Sequence, residues 1–170
     1  AAAQHVHTQS NNRKVYLFLG ANIGNFTVAG AAAFVSFIAD NMHHNDRFMI
    51  GFDLKKNPAT ILQAYNDAQG ITRDFNKNLL VRLNRELGAN FQIDRFLHYP
   101  LYDPESGTAK SYLVSTQQQY VHIAALQQSY HFSQWELLHT EISQKYDLPM
   151  IEKLCQDAGL HIVDRYYDCK

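Results

Sequence analysis

The chain has 170 residues, of which 15 are basic and 16 acidic, so its formal net charge is −1 at pH 7. This balance leaves no excess of positive charge to attract nucleic acid or an anionic membrane, and we expect neither as a partner. The longest apolar tract, residues 28–39, is interrupted by Gly30 and Ser36 and is too short to cross a bilayer. The length suits one domain or parts of two.

The first predicted elements form a strand–helix–strand unit. Residues 1–13 are polar and lack periodicity, which indicates a loose segment. Residues 14–20 are an apolar run typical of a strand buried on both faces, and the run ends in a turn rich in glycine and asparagine. Thr27 suits the N-cap of a helix whose bulky apolar residues recur at helical spacing: Phe34, Phe37, Ile38 and Met42. Residues 47–54 form a second strand, so the sequence predicts a parallel βαβ unit.

Residues 56–142 have a different pattern, which predicts an α+β insertion that begins with helices. Pro58 opens a short helix, and a second helix covers residues 72–87 and ends at Gly88. The apolar residues of the second helix are predicted to share one face: Phe75, Leu79, Leu80, Leu83 and Leu87.

Short apolar runs in the rest of the insertion predict antiparallel strands. Residues 91–102 predict a short extended piece and a turn, and residues 117–119 predict a hairpin loop. The strand-like runs are residues 110–116, 120–126, 130–132 and 136–139. We therefore divide the chain into a parallel α/β framework, residues 14–55 and 143–170, and the insertion between its two parts.

The framework resumes after the insertion with one helix and one strand. Ser143 is suited to cap a turn, and residues 148–158 have the pattern of an amphipathic helix. Residues 160–167 are apolar enough to predict a final strand. The fold class predicted from these elements is α/β.

Cysteine and histidine give no sign of a disulfide framework or a metal site. The two cysteines, Cys155 and Cys169, lack CxxC spacing, and this sparse usage suits a reducing compartment. None of the nine histidines forms HExxH or another metal-spaced pair on a helix. We expect a cytoplasmic protein that requires no metal.

Five segments, in the same order, resemble those of one known family. Residues 18–26 read FLGANIGNF and are similar to FLGSxIGNF, and residues 53–58 are similar to DLxKxP. Residues 64–80 resemble AYNDAxGVTxxFNxNLL, residues 83–89 match LNRELGA, and residues 140–146 are similar to TExSxKY. These words are typical of the histidine-specific methyltransferases, which use S-adenosylmethionine to methylate the α-amino group of histidine in ergothioneine biosynthesis.

The resemblance implies part of a Rossmann-like class I methyltransferase sheet with an α+β substrate-binding insertion. It implies that Gly20, Asn25 and Tyr65 are the catalytic residues and hold the α-amino and carboxylate groups of the substrate. It places Glu141 and Ser143 at the imidazole, where a carboxylate would accept a ring N–H. Each residue also has a structural interpretation: Tyr65 as core, Asn25 as a turn residue, Glu141 as a surface charge and Ser143 as a helix cap.

Two departures from the family pattern bear on these implications. Lys110-Ser111 stands where the family usually has Glu-Met, and since that methionine lines the substrate pocket, Ser111 becomes a substrate-binding candidate that alters histidine specificity. No GxGxG occurs, so the main motif for S-adenosylmethionine is absent from this chain and its cofactor-binding residues are unknown. The chain therefore resembles the C-terminal portion of such an enzyme. With partner strands missing, we expect this portion to be inactive alone and to form a homo-oligomer.

Three functions stay open from the sequence. The first is an S-adenosylmethionine-dependent N-methyltransferase that acts on histidine or a related amino acid. The second is a non-catalytic relative that binds an amino acid, and the third is a methyltransferase for a different amino acid or amine. A glycine-rich strand–turn segment upstream would distinguish an enzyme from the binding protein.

Overall fold

A computed structural model describes residues 12–168 of the chain. The described residues divide into two compact units, the first formed by residues 12–55 with 144–168 and the second by Lys56–Ser143. The predicted loose segment falls almost wholly outside the described residues, as does Cys169. Within residues 12–168, no helix is long and apolar enough to cross a membrane.

Among the described residues a strand–helix–strand unit comes first, followed by two helices, five consecutive strands and a last helix. The strands are β1 (Val15–Phe18), β2 (Arg47–Ile50), β3 (Phe96–Asp103), β4 (Thr108–Ser115), β5 (Gln119–Ile123), β6 (Gln128–Phe132) and β7 (Leu137–Gln144). The α-helices are α1 (Val28–Asp40), α2 (Pro58–Tyr65), α3 (Ile71–Leu87) and α4 (Leu148–Asp157). This mixture establishes the predicted α/β class.

The first unit is built on the predicted parallel strand pair. β1 and β2 run parallel, with Val15 opposite Arg47 and Phe18 opposite Ile50. α1 connects them, and it begins where predicted because the Thr27 hydroxyl accepts the Gly30 N–H at 3.1 Å. The βαβ prediction is therefore confirmed for this part of the fold.

The prediction that β1 is buried on both faces is wrong for the described residues. Phe18 and Ile50 pack on α1 and α4 in a core centred on Ile23, Ala31, Val35 and Tyr146. Side chains alternate across a strand, so Leu17 and Met49 point the other way, and Leu17 is 62% exposed. The cause is that both described helices of this unit pack on the same face of a two-stranded sheet.

The predicted final strand, residues 160–167, is also absent from the described structure. This segment has no regular secondary structure, and most of its side chains are exposed. Leu160 packs on the core of the first unit, and the segment is held further along by an ion pair of 2.6 Å between Arg165 and Glu152. Side-chain anchoring of this kind fixes its path without the backbone pairing that a strand requires.

The second unit pairs its strands differently from the prediction. β3, β4 and β7 form one sheet with β4 in the centre, while β5 and β6 form a separate antiparallel pair. Residues 117–119 therefore do not close a hairpin between neighbouring strands, because β4 pairs with β3 and β7. Residues 91–102 also contain more strand than predicted, since β3 is an edge strand and an edge tolerates Pro100.

The core of the second unit corrects the predicted face of α3. Leu80 is fully buried and Leu83 and Leu87 pack beside it, but Phe75 is 72% exposed. The buried stripe passes instead through Asn76, four residues before Leu80, where helical spacing requires a core position. The rest of this core is apolar: Phe91, Phe96, Leu113, Val121, Ile123 and Phe132.

Candidate functional site

The turn after β1 is held in an unusual backbone conformation. Gly20 and Ala21 have positive φ of 76° and 55°, the left-handed region that glycine adopts without strain. A 3₁₀ turn, Asn22–Asn25, follows, and its Ile23 is fully buried and anchors the turn in the core. The Asn22 side-chain amide donates to the carbonyl of Leu19 at 2.9 Å. The turn is therefore fixed at the carboxyl end of a parallel strand, where open α/β sheets bind ligands.

Two of the predicted site residues lie on this turn and are open to solvent. Gly20 and the Asn25 side chain are both exposed. The end of β2 comes close to the turn, since a Cβ added at Gly51 would lie 3.4 Å from the backbone nitrogen of Ala21. Gly20 and the side-chain amide of Asn25 are thus accessible at this turn, and their binding of an α-amino acid stays a prediction.

An ion pair joins two segments of the first unit that are distant in sequence. The ammonium of Lys145, which is almost fully buried, lies 2.8 Å from the carboxylate of Asp53. Beside it, Leu54 and Tyr146 form a parallel bridge, and the Tyr146 N–H donates to the Asp53 carbonyl at 2.9 Å. These contacts join the segment that follows β2 to the segment that follows β7.

In the second unit, Tyr65 is the last residue of α2 and is partly buried. The link between α2 and α3 is fixed two residues later by Asp67, whose carboxylate accepts the N–H groups of Ile71 and Thr72, each at 2.8 Å. These hydrogen bonds lower the pKa of Asp67 to about 2. They hold the position of Tyr65 by fixing the turn that follows it.

The structure brings two of the predicted side-chain ligands together. The Ser111 hydroxyl on β4 donates to a carboxylate oxygen of Glu141 on β7 at 3.4 Å, longer than the roughly 2.5–3.0 Å of a typical O–H···O bond. Ser111 is fully buried, so its hydroxyl is directed at Glu141 and not at solvent. Ser143, predicted as a turn cap, lies in β7, two residues beyond Glu141. That spacing places both side chains on one face of a regular strand.

A buried hydrogen-bonded chain supports this pair from the helix side. The Thr140 hydroxyl lies 2.6 Å from the side-chain oxygen of Asn76 and 3.0 Å from the carbonyl of Ser111. The side-chain nitrogen of Asn76 donates to the carbonyl of Thr72 at 3.0 Å. The chain of contacts therefore runs from α3 through Thr140 to the strand residue that contacts Glu141.

His98 is a residue of this region that the sequence analysis missed. It lies on β3, is only 9% exposed, and its Nε2 has no hydrogen-bond partner among the described residues. In the pairing of β3 with β4, His98 lies opposite Leu113 and Pro100 lies opposite Ser111. His98 and Ser111 are therefore diagonal neighbours on one face of the sheet. Burial lowers the pKa of His98, against an opposing effect of Glu141, and favours the neutral imidazole.

Other features of the described residues do not add to the site. Two surface clefts lie elsewhere in the first unit, one beside Asp46 and the other beside Cys155, and neither is lined by a predicted site residue. Burial raises the pKa of the Cys155 thiol. In residues 12–168 no three His, Cys, Asp or Glu side chains converge so that they could hold a metal ion.

Comparison with known proteins decides the family. The sequence profile described as "Histidine-specific methyltransferase, SAM-dependent" matches residues 1–170. The chain belongs to this family. It is 36% identical over 148 residues to the histidine N-alpha-methyltransferase of Mycolicibacterium smegmatis, a match that covers 87% of this chain and 46% of that protein.

Other relatives in the histidine-specific methyltransferase family have similar identity. The chain is 33% identical over 156 residues to the histidine N-alpha-methyltransferase of Mycobacterium tuberculosis, with 92% of this chain and 49% of that protein covered. It is also 33% identical over 159 residues to ergothioneine biosynthesis protein 1 of Neurospora crassa, with 92% of this chain and 18% of that protein covered. The chain thus spans about half the length of the two bacterial relatives.

The family description implies S-adenosylmethionine as co-substrate. In nucleotide-binding α/β folds, an acidic side chain at the end of a strand binds the ribose hydroxyls of the ligand. Within residues 12–168, a carboxylate near the Gly20 turn would have to do the same for the ribose of S-adenosylmethionine. Asp53 follows β2, but its carboxylate is engaged by the buried Lys145 ammonium. Asp53 is therefore committed to the ion pair with Lys145 and does not fit that role.

Proposed function

We propose that the protein containing this chain transfers a methyl group to the α-amino nitrogen of histidine or a related amino acid. Two observations support the proposal: the chain belongs to the histidine-specific methyltransferases, and Ser111 and Glu141, in two separate strands, are in side-chain contact. The proposed role of this chain in binding the substrate rests on one observation, the Ser111–Glu141 contact. It provides a partly buried acceptor for the N–H of a substrate ring.

We further propose that residues 14–55 and 143–170 are part of a Rossmann-like class I methyltransferase sheet and that residues 56–142 are its substrate-binding insertion. The parallel β1–α1–β2 unit supports the first part of this proposal. The second part is supported by the Leu54–Tyr146 bridge, because the chain leaves the first unit and returns to it at adjoining points.

The proposed role of the first unit is to hold the substrate amine. When bound, S-adenosylmethionine supplies an electrophilic methyl group, and the amine must be neutral so that its lone pair can attack. The Gly20 carbonyl and the Asn25 side-chain oxygen would accept amine N–H bonds and so fix the direction of that lone pair. Such positioning lowers the barrier without covalent participation of the protein. The proton lost from nitrogen passes to solvent.

The proposed role of the second unit is to select the substrate. The Glu141 carboxylate would accept an imidazole N–H, and the Ser143 hydroxyl would bond the other ring nitrogen. The Tyr65 hydroxyl would contact the substrate carboxylate. Ser111 acts in this proposal through its contact with Glu141, since it is fully buried.

Substitution of Glu141 tests the proposal. Glu141→Ala in the full-length protein should weaken histidine binding by about 1.5–3 kcal/mol, the range for a hydrogen bond to a charged group. The measurement is calorimetric titration with histidine in the presence of S-adenosylhomocysteine. Glu105→Ala is the control, since it removes an exposed carboxylate in the turn between β3 and β4.

The outcomes distinguish the functions that the sequence left open. Unchanged histidine affinity in Glu141→Ala, with an active wild-type enzyme, would assign another amino acid or amine as substrate. Histidine binding without methyl transfer by the full-length protein would indicate the non-catalytic amino-acid-binding relative. Ser111→Met adds a companion test, since tighter histidine binding in that variant would show that Ser111 has shifted the pocket away from histidine.

We also propose that the chain pairs with a second copy of itself when it is studied alone. The support is the outward face of β1 and β2, where Val15, Leu17 and Met49 are exposed although parallel sheets are normally covered on both faces. Light scattering should then give a dimer or larger species, and a stable monomer at micromolar concentration would refute this. A cytoplasmic location and the absence of nucleic acid partners stay predictions.

A further inference from the structure

The orientation of the Glu141 carboxylate depends on residues that lie outside any direct contact with substrate. Ser111 reaches Glu141 at 3.4 Å, a length at which a small displacement of either strand would break the contact. The position of Ser111 is in turn fixed by Thr140, which immediately precedes Glu141 and bonds the Ser111 carbonyl at 3.0 Å. The Thr140 hydroxyl therefore adds a side-chain link between β4 and β7 next to Glu141, beyond the backbone pairing of the two strands.

The hydrogen bonds of Asn76 define the direction of this hydroxyl. Its side-chain nitrogen donates to the Thr72 carbonyl, so its side-chain oxygen must face Thr140. A hydroxyl has one proton, and that of Thr140 has two acceptors within reach, the Asn76 oxygen at 2.6 Å and the Ser111 carbonyl at 3.0 Å. Because Asn76 is only 4% exposed, water cannot easily replace either partner.

We propose that Thr140 and Asn76 are positioning residues that hold the Ser111–Glu141 pair in the orientation that receives the side-chain N–H of the substrate. This inference rests on the proposed function, in which Glu141 selects the substrate. Thr140 and Asn76 then determine selectivity among amino acids through Glu141. An unconstrained Glu141 carboxylate would rotate toward solvent and discriminate less between a ring N–H and a methylated ring nitrogen.

The test measures selectivity in the full-length protein, with histidine and its two ring-N-methyl derivatives as substrates. Thr140→Val removes the hydroxyl at nearly constant volume, Thr140→Ser retains it, and Asn76→Leu removes the acceptor on α3. Thr140→Val should raise KM for histidine about three- to tenfold, the range for one hydrogen bond, with kcat changed less than twofold. KM for the derivative methylated at the nitrogen that faces Glu141 should stay the same, and Thr140→Ser should restore the wild-type selectivity.

A double-mutant cycle separates positioning from simple stabilisation. In a Glu141→Ala background, Thr140→Val and Asn76→Leu should have no further effect on KM for histidine, because the group that they position is gone. Equal fold-changes in the presence and absence of Glu141, or equal fold-changes for all three substrates, would overturn the inference. If Glu141→Ala itself leaves histidine binding intact, the proposed function fails; if only the Thr140 and Asn76 variants behave as wild type, the inference alone fails.

Discussion

Asn84 fixes the C-terminal half of α3 to the chain that follows it, and its replacement gives a prediction with a defined magnitude. Its side-chain oxygen accepts the Phe91 N–H at 2.8 Å, and its side-chain nitrogen donates to the Phe91 carbonyl at 2.8 Å. Phe91 is one of the core residues of the second unit. One side chain thus satisfies both backbone groups of a buried residue.

Asn84→Ala should destabilise the second unit by about 1–3 kcal/mol, since each hydrogen bond contributes roughly 0.5–1.5 kcal/mol. The matched control is Asn78→Ala, which makes the same change at an exposed position of the same helix. There the better helix propensity of alanine should leave stability equal or slightly higher.

Native-state hydrogen exchange on the full-length protein measures this effect where it arises. Amide protection at Phe91 and in the last turns of α3 should fall in Asn84→Ala and stay unchanged in Asn78→Ala. A global unfolding midpoint would be less informative, because a chain with two units need not unfold in one step. If the two variants lose protection equally, the bonds from Asn84 contribute nothing beyond helix propensity and our reasoning is refuted.

Three further predictions concern single residues. Gly88→Ala should cost about 1–2 kcal/mol of unfolding free energy because φ at this position is 61°. A further cost should come from the new Cβ, which would lie 3.1 Å from the Cβ of Ala124. In thermal melts, adding Ala124→Gly should recover the cost of this close contact but not the cost of the positive φ. Asp67 has its pKa lowered to about 2 in the folded chain, so its stabilisation is present above the ordinary value of 3.8 and lost as pH falls toward 2. Asp67→Asn should therefore flatten the acid limb of a stability–pH curve, and an unchanged limb would contradict this. The pKa of His98 is lowered by burial, so stability should decline as pH falls below 6.5, and His98→Leu should remove that part of the decline in acid unfolding titrations.

The helices were predictable because their end signals are local. Thr27 accepts a hydrogen bond from an amide three residues along the chain, and Gly88 ends α3 through its own positive φ. The strand pairing was not predictable by the same means. The loop at residues 117–119 gives the same polar signal whether β4 pairs with β5 or, as here, with β3 and the much later β7. Pairing partners depend on contacts that are distant in sequence.

The candidate site shows a similar limit. Ser111 and Glu141 were predicted from the family resemblance, and only the structure shows that their side chains are in contact. The burial of Asn76 was predictable from helical spacing, since this polar residue stands four positions before Leu80 on the stripe that packs into the core. His98 carried none, because one histidine in an apolar run is equally compatible with a surface position.

The ion pair between Asp53 and Lys145 explains why two of the family's sequence words fall where they do. Asp53 and Lys145 are 92 residues apart in sequence, and the whole second unit, Lys56–Ser143, lies between them. An inserted unit adds little strain to its host when its two ends are close together in space. Here the bridge between Leu54 and Tyr146 and the adjoining ion pair hold those ends together. The words that begin at Asp53 and end at Tyr146 therefore include residues that join the two segments of the first unit, so a match to them indicates shared architecture as well as substrate choice.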